Sequence, residues 1–174
     1  AAGENGGKGA VYVLRTTDDG ATYDEVAKLT AADAAAGDSF GYSVAISDGL
    51  VAIGAVGDEM GGGVSAGSVY LFHTEDDGAT WSEFAFLIAS DAAAEDWFGY
   101  SVAISGSTIV VGSVGYSERG GWGWGEAYVF RTTDSGATYV EVAKLTAADA
   151  APTDYFGSSV ALYAGIIASG APVD

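Results

Sequence analysis

The stretch FGYSVAISDGLVAIGAV, residues Phe40–Val56, decides how this chain folds. Its first part, Phe40–Ser47, alternates bulky side chains with serine and alanine, and a period of two is typical of a β-strand. The pair Asp48 and Gly49 follows, which favours the tight turn of a β-hairpin. Because Leu50–Val56 is again apolar and rich in β-branched residues, the stretch predicts two antiparallel strands joined by that turn.

This hairpin recurs along the chain at a constant spacing. Its opening Phe-Gly pair returns at intervals of 58 residues, at Phe40, Phe98 and Phe156. The same spacing relates the glycines near the end of the hairpin: Gly54, Gly112 and Gly170. Three copies of 58 residues, without insertion or deletion, account for all 174 residues. A repeat of this period predicts an architecture built from repeated units.

Each repeat contains four predicted strands. Two further runs follow the hairpin, Ser68–His73 and Glu83–Ala89, and both faces of all four strands are apolar or small. Such strands are typical of a sheet that is covered on both sides, while the frequent glycines and β-branched residues disfavour helices. We predict an all-β fold of three four-stranded antiparallel propeller-type blades, each 58 residues long.

The repeats form one predicted domain, residues 1–174. They run over residues 9–66, 67–124 and 125–174, and the last is completed by residues 1–8 of a neighbour or of the same array. Three blades are fewer than the four to eight of a typical closed propeller. The sequence therefore leaves open a six-bladed pair of chains, a longer array or an open helical stack.

The last blade is expected to be split between the two ends of the chain. The predicted third and fourth strands lie near the start and the first and second near the end: Val11–Leu14, Glu25–Thr30, Ser158–Leu162 and Ile166–Gly170. Each half-blade should expose a strand edge, and exposed edges pair with other strands. The end of the chain is in phase with its start, so the ends are expected to be a seam between blade halves.

The recurring pattern resembles the FG-GAP repeat of integrin α-chain propellers and of many secreted or surface proteins. The other two copies read FGYSVAISGSTIVVGSV and FGSSVALYAGIIASGAPVD, the last with a literal GAP at Gly170–Pro172. The resemblance implies a propeller scaffold, which by itself specifies no function. Calcium-binding blades of that family carry a D-x-D-x-D-G-like loop between the first two strands. Here these links are SDG, SGS and YAG, which are short and poor in carboxylates, so we expect no cofactor or metal there, with calcium binding as the alternative.

A second motif, TTDDGATY in the first repeat, is similar to the Asp-box of sialidase-like propellers. It falls between the predicted third and fourth strands, where its aspartate, glycine and threonine suit a hairpin turn. We assign these residues a structural role: Asp18, Gly20, Thr22, Asp76, Gly78, Thr80, Asp134, Gly136 and Thr138. Aspartate pairs of the form D-x4-D-x-F-G also recur, and they are expected to bond their own turns more often than a cation.

The charge composition limits the kinds of partner that the chain is expected to bind. The chain has 24 acidic and 6 basic residues, a formal charge of -18, and no cysteine. Such a field repels phosphate backbones and anionic lipids, so neither nucleic-acid binding nor membrane insertion is expected. No apolar run approaches the roughly 20 residues that span a bilayer. The acidic bias favours solubility.

Residues for catalysis are few. A sialidase-like site needs clustered arginines, but Arg15 and Arg131 occupy equivalent positions of two repeats and His73 occupies the same position in the middle repeat. That equivalence indicates a scaffold role, and no general base is evident. We therefore expect no enzymatic activity, with an Asp-box glycosidase as the weakest alternative.

The loop between the second and third strands differs most between repeats. In the second repeat it reads GYSERGGWGWG and contains the contact candidates Arg119, Trp122 and Trp124. Exposed tryptophan is typical of a contact surface or a sugar-stacking platform, although both side chains could instead fold over a neighbouring blade.

From the sequence we expect a non-enzymatic extracellular or cell-surface structural protein. Its blades would assemble end to end with other copies, giving a filament or a closed propeller. The alternative is an adhesion or glycan-binding propeller that uses the Gly/Trp-rich loops to bind a glycan or a protein.

Overall fold

The computed structural model of the chain describes residues 6–60, 63–117 and 121–174, and every helix or strand element in those ranges is a β-strand. The strands, numbered in chain order, are β1 (Val11–Arg15), β2 (Asp24–Leu29), β3 (Phe40–Ser47), β4 (Leu50–Ala55), β5 (Ser68–His73), β6 (Ser82–Leu87), β7 (Phe98–Ser105), β8 (Thr108–Ser113), β9 (Tyr116–Ser117), β10 (Gly121–Trp122), β11 (Glu126–Arg131), β12 (Val140–Leu145), β13 (Val160–Tyr163) and β14 (Ile166–Ser169). The all-β prediction is confirmed.

Two whole blades form the middle of the chain. Strands β3-β4-β5-β6 make one four-stranded antiparallel sheet, and β7-β8-β11-β12 make the next. Their registers coincide after one repeat, because Leu50 lies opposite His73 and Thr108 lies opposite Arg131. The short strands β9 and β10 pair with each other inside the loop between β8 and β11.

The predicted hairpin turn is present between β3 and β4. Asp48 and Gly49 have φ angles of 49° and 77°. Positive φ at both central residues is the geometry of the turns that fit the twist of a β-hairpin. Near the start of β3, its register against β4 shifts between Phe40 and Ser43, which bends the strand as a β-bulge does.

Half-blades flank the two whole blades. Strands β1 and β2 form one two-stranded sheet, and β13 and β14 form another. Over the described ranges these half-blades share no sheet with any other strand, and the blades do not close into a ring. Strand β13 starts two residues later than predicted, although backbone bonds between Gly170 and both Gly157 and Ser159 extend the pairing beyond the strands.

The cores lie between consecutive sheets. One cluster contains Val69 and Leu71 of the first whole blade together with Phe98 and its neighbours in the second. The Phe98 ring packs edge-on against Tyr128 and Phe130, with centroids 5.4 and 5.9 Å away. Each sheet is thus covered by the next one, which explains why its central strands are apolar on both faces.

Glycines set how closely the whole blades approach each other. A side chain on Gly54 would overlap the backbone carbonyl of Gly99 in the following blade. The Ser43 hydroxyl donates a hydrogen bond of 2.7 Å to that same carbonyl oxygen. Gly112 and Gly157 repeat the close approach one blade further along. The glycines of the repeated motif are therefore interface residues.

Candidate functional site

The T-x-D-x-G-x-T turns are bonded within themselves. Asp76 accepts hydrogen bonds from the amide of Thr80 (2.7 Å), the hydroxyl of Thr80 (2.7 Å) and the hydroxyl of Thr74 (2.9 Å). The Thr80 amide, followed by the two hydroxyls, lowers the pKa of Asp76 to about 2. Asp18 and Asp134 make the same bonds in their own repeats. These carboxylates hold their hairpins together.

The D-x4-D pairs have two kinds of partner. In each repeat the second aspartate accepts a hydrogen bond of 2.5–2.6 Å from the amide three residues before it: Asp38, Asp96 and Asp154. The first aspartate reaches another strand, since Asp33 lies 2.8 Å from the Tyr70 hydroxyl and Asp91 lies 2.9 Å from that of Tyr128. One member of the pair fixes its own turn, and the other ties the linker to a blade.

Two carboxylates, buried Asp58 and exposed Asp33, bond the buried tyrosine of the first whole blade. The Tyr70 hydroxyl is 2.7 Å from Asp58, which also accepts a hydrogen bond of 2.6 Å from Ser68. Burial, and then the hydrogen bonds to Asp58 and Asp33, raise the pKa of Tyr70 well above its usual range. The sequence reasoning missed this group, although a tyrosine does recur at that position in every repeat.

A lysine completes the corresponding group in the second whole blade. Lys144 Nζ lies 2.7 Å from Glu126 and also pairs with Asp91. Burial alone would raise the pKa of Asp91, but the hydrogen bond from Lys144 and its charge lower the pKa overall. The first blade has Phe86 at the position of Lys144. Within the described ranges, no three His, Asp or Glu side chains are arranged to hold a metal ion.

The loop predicted as a contact surface is described in part. Arg119 lies outside the described residues, and Trp122 is placed by its backbone in β10. Trp124 is half-buried, and its carbonyl accepts a hydrogen bond of 3.3 Å from the Phe156 amide. The backbone at Trp124 thus joins this loop to the next repeat. A binding role for the three contact candidates stays a prediction.

Clefts of about 560 and 520 Å³ open between successive sheets at the end that carries the hairpin turns. His73 and Tyr139 line the larger cleft, and Arg15 and Trp81 line the smaller one from the equivalent positions. His73 Nε2 lies 3.7 Å from Oε1 of Glu75, a residue that lines the smaller cleft. The two clefts are copies of one inter-blade geometry, with a basic residue on one side and an aromatic residue on the other.

The half-blades expose side chains that the whole blades bury. Tyr12 in β1 is 47% exposed, whereas Tyr70 at the same position of the next repeat is 1% exposed. Leu14 is exposed where its counterpart Phe72 is buried, and Ile166 at the start of β14 is exposed too. Strands β1 and β14 each have only one paired neighbour among the described residues, and the unpaired backbone N–H and C=O groups of a strand edge are a template for another strand. We regard the edges of β1 and β14 as the candidate functional site.

Comparisons with known proteins identify the repeat. A search of curated proteins found no match. The described ranges contain no helix of the length and apolarity that a membrane crossing requires. A sequence profile of the FG-GAP repeat matches residues 23–72, 81–130 and 139–174, in phase with the 58-residue period. These three ranges cover most of the chain, and the chain therefore belongs to the FG-GAP repeat family.

Proposed function

We propose that this chain is a non-enzymatic structural protein of the cell surface or the extracellular space, and that its blades join end to end. FG-GAP repeats are typical of extracellular and cell-surface proteins, which supports the location. The observation that supports end-to-end assembly is that Tyr12 in β1 is exposed, whereas Tyr70 at the same position in a whole blade is buried. The recurring aspartates bond their own turns, which supports a scaffold role.

The register of the joint follows from the whole blades. Strand β4 pairs with β5 so that Ala52 lies opposite Leu71. The same register, applied to two copies of the chain, places Ala168 in β14 of one copy opposite Val13 in β1 of the other. This pairing satisfies both free edges with the backbone hydrogen bonds that a sheet requires.

Polar contacts between repeats provide a second check on that register. The Glu83 carboxylate accepts a hydrogen bond of 2.9 Å from the amide of Ala32, and Glu141 accepts one of 2.8 Å from Ser90. Glu25 holds the equivalent position in β2. In the joint, the Glu25 carboxylate would face the amide of Ala148 in the second copy and could accept a hydrogen bond from it.

The joint is head-to-tail, because the β1 edge and the β14 edge are different surfaces. Such an interface builds a ring if its rotation closes and a filament if it does not. Two chains would contribute six blades, which lies within the range of closed propellers. Either product completes every blade with the same strand order.

Cysteine pairing tests this proposal cleanly, since the chain has no cysteine of its own. One preparation carries Val13→Cys and another carries Ala168→Cys, and the two are mixed under mild oxidation. We expect a disulfide between the two kinds of chain, because the residues are cross-strand neighbours in the proposed register. The matched control replaces Val13→Cys by Leu14→Cys, whose side chain points to the opposite face of the strand. A mixed disulfide no more abundant than in this control contradicts the proposal.

A second candidate function is glycan or protein binding by the loop of the second repeat. It is favoured by the ribbon of β9 and β10, since no such pair of strands interrupts β4 and β5 among the described residues. Titration of the chain with a panel of glycans, compared with Trp122→Ala and Trp124→Ala, tests it. Binding that is lost in these variants while assembly persists supports this function, and the absence of any binding contradicts it.

A further inference from the structure

An apolar stripe runs along one face of β3. Tyr42, Val44 and Ile46 alternate along the strand and are 49%, 48% and 63% exposed. The stripe is distinct from the free edges discussed above, because β3 belongs to a whole blade whereas β1 and β14 belong to the half-blades. Among their counterparts on β7, Val102 and Ile104 are half-buried against the core between the two whole blades. What covers the β7 face is the preceding blade, since β7 lies against β3 and β4.

We infer that β13 and β14 of a second copy of this chain pack against the β3 stripe. The stripe is then their docking surface, called the seat below. The inference rests on the proposed function, but it assigns a second surface to the joint, packed face to face rather than edge to edge. The face offered by the second copy is complementary. Ala52 packs in the core between the whole blades with Leu50 against it. The equivalent residues of β14, Ala168 and Ile166, are exposed. Ala168 and Ile166 would thus meet the stripe, as Ala52 and Leu50 meet the core between the whole blades.

Gly170 supports this seat independently of exposure. Gly54 and Gly112 face the backbone carbonyls of Gly99 and Gly157 in the following blade, so each needs to lack a side chain. Gly170 is the third residue in that series. The three atoms nearest to a side chain at Gly170 belong to the side chains of Ser158 and Ser159, the closest being Ser159 Oγ at 2.4 Å. None of these three nearest atoms is a backbone atom, in contrast to the nearest atoms at Gly54 and Gly112.

A second copy of the chain would provide the backbone that leaves no room for a side chain at residue 170. Transposing the whole-blade interface places Gly170 against the backbone of Gly41, which is the counterpart of Gly99 and Gly157. Ser43 and Ser101 each donate a hydrogen bond of 2.7 Å across the existing interfaces, to Gly99 and Gly157. Ser159 is the next residue of that series, and its hydroxyl would donate to the Gly41 carbonyl oxygen of the second copy. Gly170, Gly41 and Ser159 are thus the same residue types that form this contact between the blades of a single chain.

The test uses the whole chain and measures the dissociation constant of self-association by sedimentation equilibrium. Val44→Glu should raise this constant about tenfold or more, because association would bury an unpaired charge. Gly170→Val should do the same by blocking the close approach and by displacing the Ser159 hydroxyl, whose Oγ would lie 2.4 Å from the new Cβ. Val140→Asp is the matched control, since Val140 is exposed and its counterparts are Asp24 and Ser82. It should leave the constant within about twofold of the parent.

The outcomes separate the two proposals. If Val44→Glu and Gly170→Val associate like the parent while the cysteine pair of β1 and β14 still forms, the stripe is not the seat and edge pairing stands. If the parent chain neither associates nor forms the cysteine pair, both proposals fail together. Circular dichroism of each variant shows whether its β-structure is retained, and weakened association counts in favour of the seat only in a variant that keeps it.

Discussion

Gly54 and Gly99 lie backbone to backbone at the interface of the two whole blades, and a side chain on the first would overlap the carbonyl of the second. This relationship gives the repeated motif a physical meaning. One glycine follows the phenylalanine at the start of the first strand, and the other comes near the end of the second strand. The two glycines of the motif are thus needed for the close approach of one blade to the next.

Replacing Gly54 by alanine should therefore destabilise the fold. We expect Gly54→Ala to lower the free energy of unfolding by about 3 kcal/mol, because the new methyl group overpacks a backbone contact. The measurement is urea denaturation followed by fluorescence. The control is Gly106→Asp, since Asp48 holds the equivalent turn position with a φ of 49° and a side chain at Gly106 meets no atom within 4 Å. A Gly54→Ala variant as stable as this control contradicts the assignment.

Removing the buried hydroxyl of Tyr70 should leave Asp58 and Asp33 short of a donor. We expect Tyr70→Phe to lower the free energy of unfolding by about 1–3 kcal/mol, the usual contribution of a hydrogen bond to a charged group. Tyr163→Phe is the control because that side chain is exposed. Equal stability of the two variants, measured by denaturation at neutral pH, would show that the Tyr70 hydroxyl does not hold the linker to the blade.

Asp96 should make the fold less stable as the pH rises. Burial raises the pKa of Asp96 from 3.8 to about 6, against the opposing hydrogen bond from the Ala93 amide. The folded chain thus holds this proton more tightly than the unfolded chain. Its stabilising contribution is full below pH 3.8 and is lost as the pH rises through 6.

Asp96→Asn removes the charge and keeps an oxygen that can accept the Ala93 bond. We expect it to raise the free energy of unfolding at pH 7.5 by about 1–2 kcal/mol, after allowance for solvent screening, and to have little effect at pH 4. Thermal unfolding at the two pH values measures the difference. A gain that is the same at both values would mean that the charge of Asp96 is not its cause.

The aspartates of the hairpin turns should behave in the opposite sense. Hydrogen bonds within the turn lower the pKa of Asp76 from 3.8 to about 2. The stability that this carboxylate contributes is present above pH 3.8 and is lost as the pH falls through 2. Asp76→Ala should therefore lower the melting temperature at pH 7, with a difference from the parent that shrinks below pH 2. Ser82→Ala, a change at an exposed residue that does not ionise, should show no such pH dependence.

Much of the fold could be predicted because its signals are local. The alternation along Phe40–Ser47 and the Asp48-Gly49 turn specify the hairpin from neighbouring residues, and the 58-residue spacing then extends that hairpin to the whole chain. The bounds of β3 and β5 agree with the sequence prediction to the residue. The bulge after Phe40 was not predicted, since it depends on the approach of another blade.

The less local features were missed for the same reason. Tyr70 bonds to Asp33, 37 positions earlier, and that distance reflects the stacking of sheets rather than any short motif. The alternation of Tyr42, Val44 and Ile46 was read as a covered face, whereas the structure leaves it exposed. A strand pattern shows which residues are apolar, but the surface that covers them depends on the neighbouring blade.

The mass of the 174-residue chain in solution, measured by light scattering over a range of concentrations, tests the central claim most directly. The account predicts particles of two or more chains of 17.4 kDa, either a discrete six-bladed pair or a growing filament. A mass that stays at 17.4 kDa up to about 1 mM, a concentration at which even weak specific pairing is populated, would contradict it.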